Sequence, residues 1–461
     1  EVLVARLKGY NVPEDLIVIN NRERLGRNQS AMRLALIDIW NEVIRNYFRS
    51  DNNARTFIAP LASCFIVPQM IHKFDRNEYL LNLNNMLIDF TYCDKENPMY
   101  TIRDRMPEDY LTKKVKVNYD PSLTEDSPKV RLARNFFRTL FVNDETREAV
   151  LRIVSSFLVG GNKDKKFIVM TGVKDSGKST FKKIVIDTLL GNDDKGYARD
   201  APVESIIHTK GKSAGQASPE LAQAKNCKVL TYTEPESDIA FGSSLIKRIS
   251  GGDSFYARGL FENGTTMKAT FKLVLQCNTI PKLKVMDHAA IERFLIIPFK
   301  SVFVNPENAP KDPKDQFEKR RFPKDPDIFE HKLQDYIEGI LWLLLKYTKD
   351  YFEKGLLIST EIQKMIDNYR NENDPVYNFF RSVFNYRSSN DSRISKTDIL
   401  ARFRQWYRKI FSGNHLPKEY SDKEELFNRL REFIREDCIV EGDSGEYYIT
   451  KYSMDSEMIQ I

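Results

Sequence analysis

The sequence contains little cysteine and little histidine, and neither residue is spaced for metal binding. It has five cysteines without a CxxC pair and five histidines without an HxxxH pair. The cysteines are Cys64, Cys93, Cys227, Cys277 and Cys438. This pattern argues against a zinc site and against the disulfide framework of a small secreted domain. We therefore expect an intracellular protein in a reducing compartment.

The sequence also lacks a long hydrophobic run. Its longest apolar stretch, residues 339–345, is far shorter than the roughly 20 residues that a membrane-spanning helix needs. The chain starts at Glu1 without a Met, and no targeting signal follows. We therefore expect a fragment of a longer protein that has no membrane partner.

The composition is that of a globular protein. Hydrophobic residues make up 41% of the 461 residues, and 29 Phe and 21 Tyr exclude wholesale disorder. A chain of this length favours about three domains. The net charge of +6 permits a nucleic-acid partner without requiring one.

The clearest chemical signal is a glycine-rich segment that follows a predicted strand at residues 167–170. Residues 172–179 read GVKDSGKS and match the phosphate-binding pattern G-x-x-x-x-G-K-[ST]. We expect Lys178 to contact the β and γ phosphates and the Ser179 hydroxyl to bind Mg²⁺. The residues predicted to bind nucleotide are Gly172, Val173, Lys174, Asp175, Ser176, Gly177, Lys178, Ser179 and Thr180. A glycine-rich turn without a ligand is the alternative interpretation.

An acidic segment follows the next predicted strand, at residues 228–233. Glu234 and Glu236 flank Pro235 there, and in a parallel sheet they would lie beside the phosphate-binding loop. Glu234 is the first candidate for polarising water or binding the metal, and Glu236 is the second. A solvated acidic turn is the alternative.

A basic hairpin is predicted around Asn263 and Gly264, because Asn-Gly is the strongest two-residue hairpin signal. Its predicted arms, residues 255–262 and 265–277, carry Arg258, Lys268 and Lys272 among aromatic residues. This mixture suits contact with a phosphate backbone. A solvated sheet edge is the alternative.

Two further polar residues lie at strand ends. Asn278 follows the predicted strand at 273–275, where it either senses the γ phosphate or forms a turn. Arg293 precedes the predicted strand at 295–299 and is either a surface arginine or a finger that completes a neighbouring subunit's site.

The remaining pattern divides the chain into four parts. We predict an N-terminal helical or α+β domain at 1–129, a nucleotide-binding core at 130–302, a linker and helical segment at 303–373, and a C-terminal domain at 374–461. Five prolines between residues 305 and 327 predict the linker, or a surface excursion, rather than a core element. The C-terminal part reads as helices closed by a hairpin around residues 443–445.

The order of these motifs resembles superfamily 3 helicases of the AAA+ class. It is most similar to the helicase portion of the primase-helicases of poxviruses and related large DNA viruses, plasmids and phages. The resemblance runs from residues 81–89 through the motifs above to residues 374–376. It implies an α/β fold: an AAA+ core with a central parallel sheet and a β-hairpin. An α+β or helical domain would precede this core, and a helical segment and a winged-helix-like domain would follow it.

The resemblance also implies a function. It implies a hexameric ring that binds ATP and Mg²⁺ between its subunits. The ring would move along single-stranded DNA 3′ to 5′, which is the family's usual direction, and unwind duplex DNA at a fork. The implied catalytic residues are Lys178, Glu234, Glu236, Asn278 and Arg293, and Arg293 would act in trans. Ser179 and Glu234 would bind the metal ion. Arg258 and Lys268 would contact DNA. Replication proteins such as a polymerase or processivity factor are expected partners, and a viral origin would place the protein at cytoplasmic replication sites of the host cell. Thr233 departs from the family, because many AAA+ motors have an acidic residue there.

Two other functions stay open at this stage. A AAA+ loader or scaffold would use ATP binding to assemble on a protein partner without separating strands. A P-loop kinase is less favoured, because no lid or acceptor pocket is evident in the sequence and the hairpin would have no purpose.

Overall fold

The computed structural model describes residues 73–206, 219–233, 240–257, 265–283, 287–388, 393–411, 416, 420–442 and 445–454. The strands in these ranges are β1 (Leu80–Asn82), β2 (Leu87–Asp89), β3 (Thr101–Arg103), β4 (Phe167–Gly172), β5 (Ala198–Ala201), β6 (Val229–Thr233), β7 (Ala240–Phe241), β8 (Ser254–Ala257), β9 (Thr265–Lys268), β10 (Lys272–Cys277), β11 (Lys282–Leu283), β12 (Phe294–Phe299), β13 (Val302–Val304), β14 (Arg321–Pro323), β15 (Phe384–Tyr386), β16 (Ile439–Glu441), β17 (Tyr447–Ile449) and β18 (Tyr452–Met454). The α-helices are α1 (Pro128–Leu140), α2 (Asp144–Ser155), α3 (Lys178–Phe181), α4 (Pro219–Gln223), α5 (Ser243–Gly251), α6 (His288–Ile291), α7 (Pro313–Glu318), α8 (Leu333–Lys354), α9 (Thr360–Asn373), α10 (Pro375–Val383), α11 (Lys396–Ile410) and α12 (Lys423–Leu430).

A five-stranded parallel sheet forms the centre of a mixed α/β fold. Its strand order is β12-β4-β10-β6-β5, and every neighbouring pair is parallel. The strands β10 and β12 are buried along their whole length, as expected for a parallel sheet covered by helices on both faces. The predicted central parallel sheet is therefore confirmed, and the predicted strand at 167–170 is β4.

Helices α1, α2 and α8 pack together beside this sheet. Residues 130–157 have apolar residues at helical spacing, and they form α1 and α2. The Asn143 side chain caps α2 by accepting a hydrogen bond from the Thr146 N–H. Gly339 permits close packing of α8 on α1, because a Cβ there would lie 2.1 Å from the Lys129 carbonyl oxygen. No helix in the described part of the chain combines the length and apolar character that a membrane span needs.

The strands β1, β2 and β3 form a separate antiparallel sheet before the core. Arg103 joins it to the next segment through ion pairs with Asp89 at 2.9 Å and Asp109 at 2.7 Å. Residues 114–119 alternate in a way that is typical of a strand, but they do not form one, although their backbone makes isolated hydrogen bonds beside β1. Of the predicted domain 1–129, residues 1–72 lie outside the described residues.

The proline-rich stretch predicted as a linker or surface excursion folds onto the core. Strands β13 and β14 pair in parallel, α7 lies between them, and Phe322 is buried. Pro306, Pro313 and Pro326 stand in the first turn of short helices, where a missing N–H costs nothing. These prolines therefore begin short helices. The number of prolines in the sequence is the same for a linker and for a folded segment of this kind, so it did not predict the fold.

The C-terminal residues have their own hydrophobic core. Helices α10, α11 and α12 enclose Phe379, Phe403 and Trp406, all of them buried. The antiparallel pairs β16-β17 and β15-β18 complete this part, so the predicted helices followed by paired strands are observed. Two residues of the predicted turn, 443 and 444, lie outside the described residues.

Candidate nucleotide-binding site

The phosphate-binding loop joins the end of β4 to the start of α3. Gly177 has a φ of +85°, a conformation that favours glycine. A Cβ at Gly177 would lie 2.5 Å from Leu140 Cδ2 and 2.9 Å from Phe303 Cε2. A Cβ at Gly172 would lie 2.3 Å from the Phe299 carbonyl oxygen. Both glycines are thus required by the packing, and the order of strand, loop and helix is the predicted one.

Lys178 lies at the centre of this loop and is largely buried. Its Nζ donates hydrogen bonds to the carbonyl oxygens of Gly172 at 2.7 Å and Val173 at 2.9 Å, and to Ser176 Oγ at 3.1 Å. It also donates to Asn278 Oδ1 at 2.9 Å. The predicted residues Lys178 and Asn278 are therefore brought together, with a cation held by neutral oxygens where an anionic phosphate can replace them.

Gln276 is a site residue that the sequence analysis missed. It lies on β10 two residues before Asn278, and its Nε2 donates a hydrogen bond to Ser179 Oγ at 3.0 Å. Its Oε1 is buried and has no hydrogen-bond partner among the described residues. A buried amide oxygen without a partner is costly unless a ligand or water satisfies it. The available signal was a lone amide inside an otherwise apolar strand.

The donor set beside the loop fits a magnesium ion. The Ser179 hydroxyl and the unsatisfied amide oxygen of Gln276 belong to neighbouring side chains, and oxygen is the ligand that Mg²⁺ prefers. Thr233 ends β6 and pairs in register with Gln276. The predicted carboxylates Glu234 and Glu236 follow Thr233 directly, but they lie outside the described residues.

Arg293 lies at the opposite edge of the sheet from Lys178. Its carbonyl oxygen accepts a hydrogen bond from the N–H of Phe167, the first residue of β4, whereas Lys178 follows the end of that strand. A strand of six residues spans about 20 Å, which separates Arg293 from the loop of its own chain. Its Nη1 is buried without a hydrogen-bond partner in the part of the chain that the structure describes.

The predicted basic hairpin begins at the same edge as Arg293. Strands β8 and β9 pair antiparallel from Ser254 opposite Lys268 to Ala257 opposite Thr265. Lys268 is exposed at the base of this pair, while Arg258 and the Asn-Gly turn lie outside the described residues.

The prediction of one continuous second arm from 265 to 277 was wrong. The residues form β9 in the hairpin and β10 in the central sheet. Lys272, at the start of β10, is 3% exposed, and its Nζ donates to the carbonyl oxygens of Val159 at 2.8 Å and Gly161 at 2.7 Å. Lys272 therefore contacts the protein interior and is not available to DNA.

Lys228 and Lys272 are two buried lysines at this edge of the sheet. The Lys228 Nζ donates a hydrogen bond to the Glu78 carbonyl oxygen at 2.5 Å. Burial lowers the pKa of each ammonium group to about 7, because the charged form loses its hydration. Through these hydrogen bonds, Lys228 and Lys272 connect the beginnings of β6 and β10 to the segments of the chain that precede β4.

A cleft of about 810 Å³ opens from the phosphate-binding loop. Helix α1 lines one side of it, and residues from the 303–329 segment line the other. This loop thus opens into a larger pocket whose walls come from two other parts of the chain.

Three proteins of viruses resemble this chain. It is 28% identical over 347 residues to "Putative helicase L207/L206" of Acanthamoeba polyphaga mimivirus, and the aligned residues make up 75% of this chain and 35% of the relative. It is 26% identical over 405 residues to "Putative helicase 184R" of Invertebrate iridescent virus 6, covering 83% and 39%. It is 31% identical over 279 residues to "Putative helicase 022R" of Frog virus 3 (isolate Goorha), covering 59% and 27%. The chain therefore spans between about a quarter and two fifths of the length of these relatives.

Other comparisons add less. No protein-family model matches the chain. Among solved structures, the apo A form of the NrS-1 C-terminal region aligns over 81% of this chain and 96% of that chain, with 10% identity and a TM-score of 0.36. The sequence relatives, in contrast, confirm the resemblance to viral helicases that the order of the motifs predicted.

Proposed function

We propose that this chain is the ATP-hydrolysing motor of a DNA helicase. The observation that carries the proposal is the position of Lys178, which bonds to its own loop and, through Asn278, to the neighbouring strand. A phosphate at the loop would compete for both contacts, so nucleotide binding is coupled to the end of β10. The helicase names of the viral relatives support the same function.

The chain's own residues would divide the work at the phosphates. Lys178 would transfer its hydrogen bonds from the loop carbonyls to the β and γ phosphates, and this would free Asn278 Oδ1 to orient the attacking water. Ser179 and Gln276 would hold Mg²⁺, with Glu234 or Glu236 polarising the water. The bound metal neutralises charge on the phosphate oxygens.

Arg293 would complete the site of a neighbouring subunit. It lies about 20 Å from the loop of its own chain, so it would have to act at the loop of another subunit. We therefore propose a ring, with six subunits as the expected number.

The DNA would bind at the hairpin of β8 and β9. Lys268 is exposed at its base, and Arg258 follows β8 directly in the sequence. We propose that these cations contact single-stranded DNA, that the motor moves 3′ to 5′, and that it belongs to a viral primase-helicase with replication proteins as partners. The C-terminal helices and paired strands would act as a winged-helix-like domain.

Hydrolysis of ATP with and without single-stranded DNA tests this proposal. The variant Lys178→Ala should lose hydrolysis while its thermal unfolding stays close to that of the original chain. Lys183→Ala is the matched control and should keep full activity, because this lysine is exposed and lies in the helical turns at Lys182–Thr188 that continue α3. Full activity in Lys178→Ala would refute the nucleotide site. Weak hydrolysis that DNA does not stimulate would favour the loader or scaffold.

A further inference from the structure

A second cleft lies between α1, α2 and α8, away from the phosphate-binding loop. Its volume is about 520 Å³. The described residues that line it include five cations and no carboxylate, and these cations are Arg131, Arg134, Arg138, Arg147 and Lys346. We call this cleft the basic groove. Positive charges held so close together repel one another, so the groove favours an anionic occupant.

The sequence of α1 places three of these arginines on one face of the helix. Arg131, Arg134 and Arg138 follow one another at intervals of three and four residues, which is the spacing of side chains on a common helix face. At 1.5 Å per residue, the stripe is about 10 Å long. The core-facing side of the helix carries the buried residues Val130, Ala133, Phe136, Phe137 and Leu140. The arginine stripe is therefore a continuous wall of the groove.

A carboxylate of the chain itself already binds at this groove. Glu125, in the turn that precedes α1, forms an ion pair with Arg134 at 3.2 Å and a second one with Lys346. Arg134 belongs to α1 and Lys346 belongs to α8, so one carboxylate connects the two walls. This arrangement shows that the groove cations can bind a carboxylate that a non-helical segment presents to them.

Two arginines of the stripe keep their capacity for a further anion. Arg131 and Arg138 are exposed, and neither forms an ion pair with a carboxylate in the part of the chain that the structure describes. Arg138 lies over the Phe317 ring at 4.5 Å, whereas Arg147 is already paired with Asp144 at 2.7 Å. A guanidinium group has five N–H donors and binds a carboxylate through two of them at once.

We infer that the basic groove binds an acidic segment of a partner protein. Carboxylates of this segment pair with Arg131 and Arg138, along the same face of α1 on which Arg134 binds Glu125. Single-stranded nucleic acid is less well matched, because its bases need exposed aromatic faces for stacking. The aromatic lining does not supply them: Phe137 is buried, and Tyr347 is half-buried with its hydroxyl donating to Glu148 at 2.7 Å.

Fluorescence anisotropy with a labelled acidic peptide tests the inference. The probe is a short peptide of glutamate, glycine and leucine, and its matched peptide has glutamine in place of every glutamate. We expect the full chain to bind the glutamate peptide and not the glutamine peptide. The double variant Arg131→Gln/Lys346→Gln should weaken binding of the glutamate peptide roughly tenfold, because it removes two cations that form ion pairs at the groove.

A double variant with the same change of charge is the matched control. Lys349→Gln/Arg408→Gln replaces two exposed cations that do not line the groove, and Lys349 lies on the same helix as Lys346. This control should keep its affinity for the glutamate peptide. ATP hydrolysis by the groove variant should also be unchanged, so a failure of the groove is distinguishable from a failure of the proposed motor.

Four outcomes would overturn the inference. They are no binding of the glutamate peptide, an equal loss of affinity in both double variants, a loss of affinity for DNA in the groove variant that exceeds its loss for the peptide, and a change of oligomeric state in that variant. The third would make the groove a nucleic-acid surface, and the fourth would make it an interface between copies of this chain. If the double variant does not fold, Arg131→Gln alone decides, because Arg131 is exposed.

Discussion

Replacing Lys272 with methionine should flatten the pH dependence of stability. In the folded protein burial lowers the pKa of Lys272 to about 7, whereas the unfolded chain keeps a value near 10.5. Between these values the unfolded state binds one more proton, so the free energy of unfolding rises with pH. Below pH 7 both states are protonated and the penalty for burying the charge is fully present. Above pH 10.5 both are neutral and the penalty is gone.

The size of the effect follows from the linkage relation. One proton bound only in the unfolded state gives a slope of about 1.4 kcal/mol per pH unit. Lys272→Met removes this contribution, so its slope between pH 7.5 and 9.5 should be lower by about that amount. The variant also loses hydrogen bonds to the carbonyl oxygens of Val159 and Gly161, at roughly 1 kcal/mol each, but this loss does not vary with pH.

Urea denaturation at pH 7.5, 8.5 and 9.5 measures this slope. Buried tyrosines, whose pKa values burial raises, titrate above this window and cancel in the difference between the two proteins. Lys268→Met is the matched control. Lys268 lies on β9, the strand before β10 in the chain, and because it is exposed its replacement should leave the slope unchanged. Equal slopes for Lys272→Met and the original chain would refute the argument that Lys272 is buried and neutral above pH 7.

Two further predictions concern catalysis. Arg293→Ala should lower ATP hydrolysis on the order of 10³-fold or more while ATP binding is retained, because a finger stabilises charge in the transition state. In assemblies that mix Arg293→Ala with Lys178→Ala, some sites combine the intact loop of the first variant with the intact Arg293 of the second. These sites should hydrolyse ATP again, and no recovery in mixed assemblies would exclude a role in trans. Gln276→Leu should raise the Mg²⁺ concentration needed for half-maximal hydrolysis on the order of tenfold, since it removes the partner of Ser179. An unchanged Mg²⁺ titration would show that Gln276 only packs.

The central part of the site could be predicted from the sequence because its signals come from residues that are close together in the chain. Residues 167–179 contain the strand, the turn glycines and the helix start within one short stretch, and each signal depends only on its neighbours. Asn278 was also predictable, since the carboxyl ends of parallel strands meet at one edge of a sheet.

The rest depended on contacts between distant residues. Lys272 was placed on the second arm of the basic hairpin, and only its hydrogen bonds to the carbonyl oxygens of Val159 and Gly161 show that it lies inside the protein. Residues 269–271, between β9 and β10, contain neither glycine nor proline, so the sequence did not reveal that these strands join different sheets. The packing of Phe303 on the loop joins residues far apart in the sequence, and no local pattern predicts it.

Unwinding of a forked DNA duplex tests the central claim most directly. The substrates carry a single 3′ or a single 5′ tail, with Lys178→Ala as the inactive control and Lys183→Ala as the matched active one. We predict that ATP hydrolysis drives unwinding of the substrate with the 3′ tail and that the substrate with the 5′ tail is not unwound. The contradicting result is ATP hydrolysis without unwinding of either substrate and without stimulation by DNA, as a loader or scaffold would give.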